Sequence, residues 1–133
     1  MDASSPAPLG LPRERRIKQG RDFARAKVQG RRLAQGCLIL NWVDLPPTDL
    51  SRLGVITGRK IGHAVIRSRA RRLLREAFRL NQRCLSKPVD LVLVARGSIV
   101  GKAFSEVQTD FLLALKKARL IRADSEVSGV SEK

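Results

Sequence analysis

GRKIGHAVIRSRARRLLREAFR, residues 58–79, is the stretch of this sequence that decides the fold. Offsets of three and four residues place side chains on one face of an α-helix. The apolar residues of this stretch recur at those offsets, at Ile66, Ala70, Leu73, Leu74, Ala77 and Phe78. The pattern predicts an amphipathic helix from about residue 63 to residue 81, with its apolar face on a core.

The same helix is crowded with arginine. Arg67, Arg71, Arg75 and Arg79 form a row with a spacing of four residues, and Arg72 lies beside it. Like charges at that spacing repel one another and weaken an isolated helix. We therefore expect an external polyanion, most simply a phosphate backbone, to offset the repulsion.

Positive charge is concentrated in two segments of the 133-residue chain, whose formal net charge is +15. Residues 13–32 contain nine Arg or Lys and two acidic residues, and residues 58–83 contain nine and one. Such concentration produces a field that attracts a polyanion. A merely solvated basic surface is one alternative, but solubility alone explains two dense patches poorly. An anionic membrane is the other, but the core needs the apolar helix face.

The remaining composition limits the class of protein. The length indicates one domain, and 43% hydrophobic residues suffice for a small core. Cys37 and Cys84 form no C-x-x-C pair and His63 is the only histidine, so a zinc site is not expected. Neither a signal peptide nor an apolar run of membrane-spanning length is visible. These features predict a cytoplasmic protein with two reduced thiols.

Strand patterns predict a small sheet beside the helix. Apolar strands are expected at residues 37–43, 52–58 and 89–95, with a shorter one at 31–34. The loop at 44–49 suggests that the strands it joins form an antiparallel hairpin. The nearly all-apolar strand at 89–95 is typical of the middle of a sheet, and a strand–helix–strand unit links it to 52–58.

Two more helices are predicted. Residues 21–29 form a short one. Ser105 and Gln108 have the spacing of a capping box at the start of the last helix. Its apolar face contains Phe111, Leu112, Leu115 and Ala118.

The order of elements gives the domain organisation. We expect one domain at residues 13–122, between disordered tails at 1–12 and 123–133. Its fold class is α+β, an α-β-β-β-α-β-α sandwich around a small mixed four-stranded sheet.

The sequence contains no self-sufficient catalytic arrangement. His63, in a Gly-His-Ala turn, fits a helix start better than a general base. The acidic residues are scattered among different elements, and no phosphate-binding G-x-x-x-x-G-K-[ST] loop occurs. We therefore expect no catalytic residue, metal or cofactor to be held by this chain alone.

Arginines on one helix face can follow a nucleic-acid backbone, but they carry little sequence information. Aromatic stacking is the usual complement in RNA recognition. Phe23, among basic residues, fits either base stacking or packing of the first helix, and the sequence favours neither. Phe78 belongs to the apolar stripe. Trp42 is expected to pack inward, with Asn41 exposed on the other side of its strand.

At this point residues 58–79 resemble the signature of the bacterial ribonuclease P protein subunit. The family pattern is Lys-(Ile/Val)-Gly-x-Ala-Val-x-Arg-Asn-Arg-x-(Lys/Arg)-Arg-x-x-Arg-Glu. It is matched by Lys60, Gly62, Ala64, Val65, Arg67, Arg69, Arg71, Arg72, Arg75 and Glu76. The resemblance extends to residues 16–23, which are similar to the opening of the family's first helix, and spans roughly 13–120.

The resemblance implies a fold and an activity. The fold is like that of ribosomal protein S5 domain 2, with a left-handed βαβ crossover, against the usual rule. The family's protein joins a catalytic RNA that removes the 5′ leader of precursor tRNA, and this RNA supplies the Mg²⁺-dependent hydrolytic centre. The implied partners are this RNA and precursor tRNA, with no DNA and no membrane.

The resemblance also divides the candidate residues into two sets. The set expected to contact the catalytic RNA is Arg59, Lys60, His63, Arg67, Ser68, Arg69, Arg71, Arg72 and Arg75. The set expected to contact the leader and substrate is Arg16, Phe23, Lys27, Asn41 and Thr57. Two positions depart from the family pattern: Ser68 replaces its usual Asn, and Lys27 replaces a frequent second aromatic.

Two other functions are compatible with such a basic chain. A ribosomal-type or chaperone-like RNA-binding protein would bind structured RNA without affecting cleavage. A protein-only nuclease would cleave RNA with metal alone, and the scattered carboxylates disfavour it.

Overall fold

The computed structural model describes residues 16–17 and 30–121. Within them lie four strands and two α-helices: β1 (Arg31–Gln35), β2 (Leu38–Asp44), β3 (Arg52–Ile56), α1 (Ala64–Asn81), β4 (Val89–Ala95) and α2 (Phe104–Lys117). Every predicted element in this part of the chain is present, with ends shifted by one or two residues. The predicted helix at 21–29 and both predicted tails lie outside the described residues.

The four strands form one mixed sheet in the order β1-β2-β4-β3. β4 is central, antiparallel to β2 and parallel to β3. The predicted β3–α1–β4 unit and central position of β4 are therefore confirmed. The predicted hairpin between β2 and β3 is wrong, because β4 lies between them. β4 is the most apolar strand, and the central position buries it on both faces.

The main core lies between one face of the sheet and the two helices. Leu40 and Trp42 of β2 pack there with Phe78 of α1 and Phe111 of α2. The predicted apolar stripe of α1 is confirmed, since Ala70, Leu74, Ala77 and Phe78 are buried and Ile66 and Leu73 pack against the same core. Within the described residues, no helix is both long and apolar enough to cross a lipid bilayer.

The opposite face of the sheet has a second, smaller apolar cluster of Ile17, Val92, Val43 and Val94. Ile17 reaches it because its N–H donates to the Leu53 carbonyl at 2.8 Å, which places residues 16–17 beside β3. Asn41 lies on this face opposite Val92, as strand alternation predicts. The prediction that Asn41 is exposed is wrong: it is 7% exposed, because this face is covered as well.

The start of α2 differs from the predicted capping box. The helix begins at Phe104, with Ala103 in the capping position, so Ser105 lies inside it. The Ala103 N–H donates to the Glu106 carboxylate at 2.9 Å. A carboxylate three residues after the cap supplies half of a capping box without a Ser or Thr. The helix start predicted from the S-x-x-Q spacing was therefore two residues too late.

α2 is tied to the turn between β1 and β2 through Asp110. Its carboxylate accepts a 3.0 Å hydrogen bond from the Cys37 N–H. Gly36 precedes it with φ +56°, and a Cβ there would overlap the Asp110 carboxylate. Glycine is therefore required both by the backbone conformation and by the close approach of α2.

Cys37 is fully buried, and the pKa of its thiol is raised to about 12. Burial is the larger cause, and the contact with Asp110 is the second. A group whose pKa is raised on folding stabilises the fold below its unfolded pKa, and that contribution is lost as pH rises through the folded pKa. We therefore predict that Cys37→Ala flattens the decline in the free energy of unfolding between about pH 9 and pH 11.

Urea unfolding at several pH values measures this slope. Cys84→Ala, which removes a thiol from a half-buried position, is the matched control. Parallel declines in wild type and Cys37→Ala would contradict the prediction.

Candidate RNA interface

A cleft of about 380 Å³ runs along the outer side of α1, next to the edge of the sheet. Its wall contains Arg16, Ser68, Arg71, Arg72, Arg75, Glu76 and Arg79. Arg16 reaches it because residue 16 forms a parallel bridge with Leu53, on the free side of β3. The structure thus joins parts of the two basic segments of the sequence in one cleft, which we call the arginine cleft.

Arg71 is held by two side-chain oxygens at the end of the arginine cleft that contains Ser68. Its guanidinium donates to the Thr57 hydroxyl at 2.9 Å and to the Ser68 hydroxyl at 3.0 Å. Thr57 follows β3, so this contact also joins the sheet edge to α1. Ser68, one of the two departures from the family pattern, therefore has a defined partner on its own helix.

Arg79, at the other end of the arginine cleft, is neutralised by Glu76. The two side chains form a bidentate pair, with N···O distances of 2.9 and 2.6 Å. The hydrogen bond from Arg79 lowers the pKa of Glu76, and the same bond raises the pKa of Arg79. The arginine row predicted from the sequence is therefore interrupted, and its last member is satisfied within the protein.

Arg72 and Arg75, between those two ends, are exposed. Within the described residues, neither guanidinium has a hydrogen-bond or ion-pair partner. Partial desolvation of its guanidinium lowers the pKa of Arg75, and the positive charges of Arg16 and Arg71 lower it further. These arginines repel one another, and an anion in the arginine cleft would relieve that repulsion.

Arg67 and Arg69 stabilise nearby backbone. Arg67 donates to the Gly62 carbonyl at 3.2 Å, closing the turn before α1. Arg69 points away from the arginine cleft and donates to the Lys102 carbonyl at 2.8 Å, in the loop before α2. Each leaves further N–H donors for an external partner, since a guanidinium has five.

The other predicted contact residues are divided between two places. Arg59, Lys60 and His63 are exposed around the start of α1, where His63 occupies the capping position without a side-chain cap bond. Asn41 lies apart from the arginine cleft, on the far face of the sheet. Phe23 and Lys27 lie outside the described residues, so their predicted roles stay predictions.

Sequence reasoning did not identify the Glu76–Arg79 pair or the bond from Arg69 to Lys102. The i,i+3 spacing of Glu76 and Arg79 was a usable signal for the first. The bond from Arg69 to Lys102 joins residues that are distant in sequence, so no local sequence pattern indicates it. Within the described residues, no cluster of three or more His, Cys, Asp or Glu side chains could hold a metal ion.

Comparison with known proteins decides the family. The family model for ribonuclease P matches residues 11–119, which include both helices, all four strands and the arginine cleft. The chain belongs to the ribonuclease P protein family. The resemblance seen in residues 58–79 is thereby confirmed over most of the chain.

Related sequences agree with this assignment. The ribonuclease P protein component of Clostridium acetobutylicum is 31% identical, over 86% of this chain and 97% of the relative. That of Syntrophomonas wolfei is 37% identical, over 83% of this chain and 92% of the relative.

Solved structures of ribonuclease P proteins confirm the fold. The protein from Staphylococcus aureus has a TM-score of 0.74 at 26% identity, covering 81% of this chain and 98% of that one. The protein from Thermotoga maritima has a TM-score of 0.69 at 29% identity, covering 77% and 96%. Membership of this family makes the chain a protein component of an endoribonuclease that takes part in tRNA processing.

Proposed function

We propose that this protein binds the catalytic RNA of ribonuclease P through the outer side of α1 and assists removal of the 5′ leader from precursor tRNA. The hydrolytic centre, with its Mg²⁺, belongs to the RNA in this proposal. The protein contributes affinity, assembly and contacts to the leader.

The observation that carries the proposal is the pair of unneutralised arginines in the arginine cleft. Arg72 and Arg75 have no partner among the described residues, and the cleft's acidic residue, Glu76, is engaged by Arg79. A planar guanidinium presents a fork of donors that fits two phosphate oxygens. A phosphate backbone in the arginine cleft therefore gains charge-assisted hydrogen bonds and removes the repulsion among the arginines.

Arg16 and Thr57 support a connection between the RNA-binding and leader-binding surfaces. Both were predicted as leader contacts, yet Arg16 lines the arginine cleft and Thr57 binds Arg71. In this proposal the leader passes the edge of the sheet at β3, where the two surfaces meet. Asn41 is buried on the far face of the sheet. In this proposal it stabilises the sheet and does not contact the leader directly.

Phe23 provides the test, because base stacking would be made only with a leader present. We predict that Phe23→Ala weakens holoenzyme binding of leader-bearing precursor tRNA by about 1–3 kcal/mol, the usual range for one stacked base. Binding of mature tRNA, which lacks a leader, should not change. Equilibrium binding of both RNAs to holoenzyme assembled with wild-type or variant protein measures the difference.

A general RNA-binding protein is the alternative function, and the same assay separates the two. It would bind precursor tRNA, mature tRNA and unrelated structured RNA with similar affinity, and Phe23→Ala would affect all three equally. That outcome would reject the leader-binding proposal.

A further inference from the structure

A second, smaller groove lies at the start of α1, on the side turned away from the arginine cleft. It has a volume of about 230 Å³ and is lined by Val65, Ile66, Arg69, Ala70, Ile99, Val100 and Gly101. We call it the valine groove. It lies between the first turns of α1 and the loop that follows β4.

The apolar lining of the valine groove is unusually accessible. Val65 is 80% exposed and Val100 is 48% exposed, although the neighbouring Ile99 lies in the main core and Ile66 packs against it. Three other large apolar residues of the described part are comparably exposed, Leu50, Ile56 and Leu80, and none of them lines the groove. Two exposed valines facing one concave space indicate a contact surface more than chance exposure.

One cationic side chain lines this apolar space, and others lie at the same end of the molecule. Arg69 is held at its rim by the hydrogen bond to the Lys102 carbonyl. The short helix Arg59–Ile61 packs against the loop helix Gly97–Ile99, which brings exposed Arg59, Lys60 and Arg96 to the same end of the molecule. Among the described residues, no acidic side chain lines the valine groove.

An apolar floor with a cationic rim matches one kind of partner closely. A nucleobase has an apolar face, and the phosphates on either side of it carry negative charge. An unpaired base can turn out of its strand, whereas a paired base in an RNA helix is inaccessible to such a groove. An apolar protein segment would bury the valines equally well but would leave the cationic rim unmatched.

We propose that the valine groove receives one unpaired nucleobase of the RNA that α1 binds. The inference rests on the proposed function, because it takes α1 to face the catalytic RNA. It adds a contact that reads the shape of a single-stranded position, whereas the arginine cleft binds phosphate regardless of sequence.

The test compares an isosteric polar change in the valine groove with a charge change in the arginine cleft. In the variant Val65→Thr/Val100→Thr, two hydroxyls would be buried against the base, and affinity for the ribonuclease P RNA of the same organism should fall about tenfold. The slope of log affinity against log salt should be unchanged, because no phosphate contact is lost. Leu50→Thr, at an exposed apolar residue outside the groove, is the matched control and should bind as wild type does.

Chemical probing of the RNA bases gives an independent readout. One single-stranded position should be protected by wild-type protein and regain reactivity with Val65→Thr/Val100→Thr. Unchanged affinity and an unchanged probing pattern would overturn the proposal. An affinity loss with a shallower salt slope would also overturn it, because α1 would then have shifted as a whole.

Failure of this inference is distinguishable from failure of the proposed function. If Arg72→Ala/Arg75→Ala lowers the salt slope while the valine variant binds normally, only the groove assignment fails. If the arginine variant leaves the slope unchanged, α1 does not face the RNA and both fail.

Discussion

Replacing both Arg72 and Arg75 with alanine is expected to weaken binding of the ribonuclease P RNA by roughly 60-fold near ~0.1 M salt, with little difference near ~1 M salt. The reason is counterion release: each phosphate neutralised by an arginine adds about 0.9 to the salt slope, and the two arginines have no competing partner among the described residues. Binding titrations over a range of salt concentrations measure both quantities. Folding should not suffer, because mutual repulsion within the arginine cleft is reduced.

The matched control is Lys116→Ala/Lys117→Ala, which removes the same net charge from the last turn of α2. If the arginine cleft makes local phosphate contacts, only the arginine variant shows a slope lower by about two units. Equal reductions in both variants would indicate a diffuse attraction to net charge and would contradict the assignment of the cleft. Arg67 and Arg69 are less suitable for this test, because each also holds a backbone carbonyl.

Arg52→Ala is expected to destabilise the fold by about 3–5 kcal/mol, the largest effect we predict on stability. Arg52 forms a bidentate pair with Asp90, with N···O distances of 2.9 and 2.7 Å. Asp90 is 1% exposed on the far face of β4, whereas the Arg52 side chain is 29% exposed. Removing Arg52 therefore takes a bidentate partner away from a carboxylate that is almost fully buried.

The reverse change, Asp90→Ala, should cost less, because Arg52 can extend its guanidinium into solvent. A variant with leucine at both positions should recover much of the loss, since apolar replacement of a buried pair is often close to neutral. Urea unfolding of the three variants gives the free energies. A cost below about 1 kcal/mol for Arg52→Ala would show that the pair is effectively solvated.

Local patterns in the sequence were sufficient for the elements themselves. The 3.6-residue period of α1 identified its buried face down to Phe78, because a helix repeats within a few residues and needs no distant partner. The apolar run of β4 likewise placed it at the centre of the sheet.

Features that depend on tertiary contacts were harder to predict from the sequence. The hairpin between β2 and β3 was predicted from chain proximity, but insertion of β4 depends on pairs distant in sequence, such as Asp44 with Val89 and Arg52 with Asp90. Asn41 was placed on the correct face, yet its burial depends on the far side of the sheet being covered near Val92. The start of α2 was misplaced because Glu106 caps the chain without a Ser or Thr.

The candidate site shows the same division. The arginines of α1 and their external partner class followed from charge and spacing. The sequence did not show which of these arginines remain available to bind RNA. That depends on tertiary contacts, since Arg71 donates to Thr57 and Arg69 donates to the Lys102 carbonyl. Arg16 joined the arginine cleft through a bridge to β3, which no periodicity indicates.

The most direct test of the account is single-turnover cleavage of precursor tRNA at low Mg²⁺ by the protein alone, by its cognate RNA alone and by the two together. We expect no cleavage by the protein alone and accurate cleavage at the mature 5′ end by the pair, faster than by the RNA alone. Metal-dependent cleavage by RNA-free protein, or addition of protein without any gain over the RNA alone, would contradict the account.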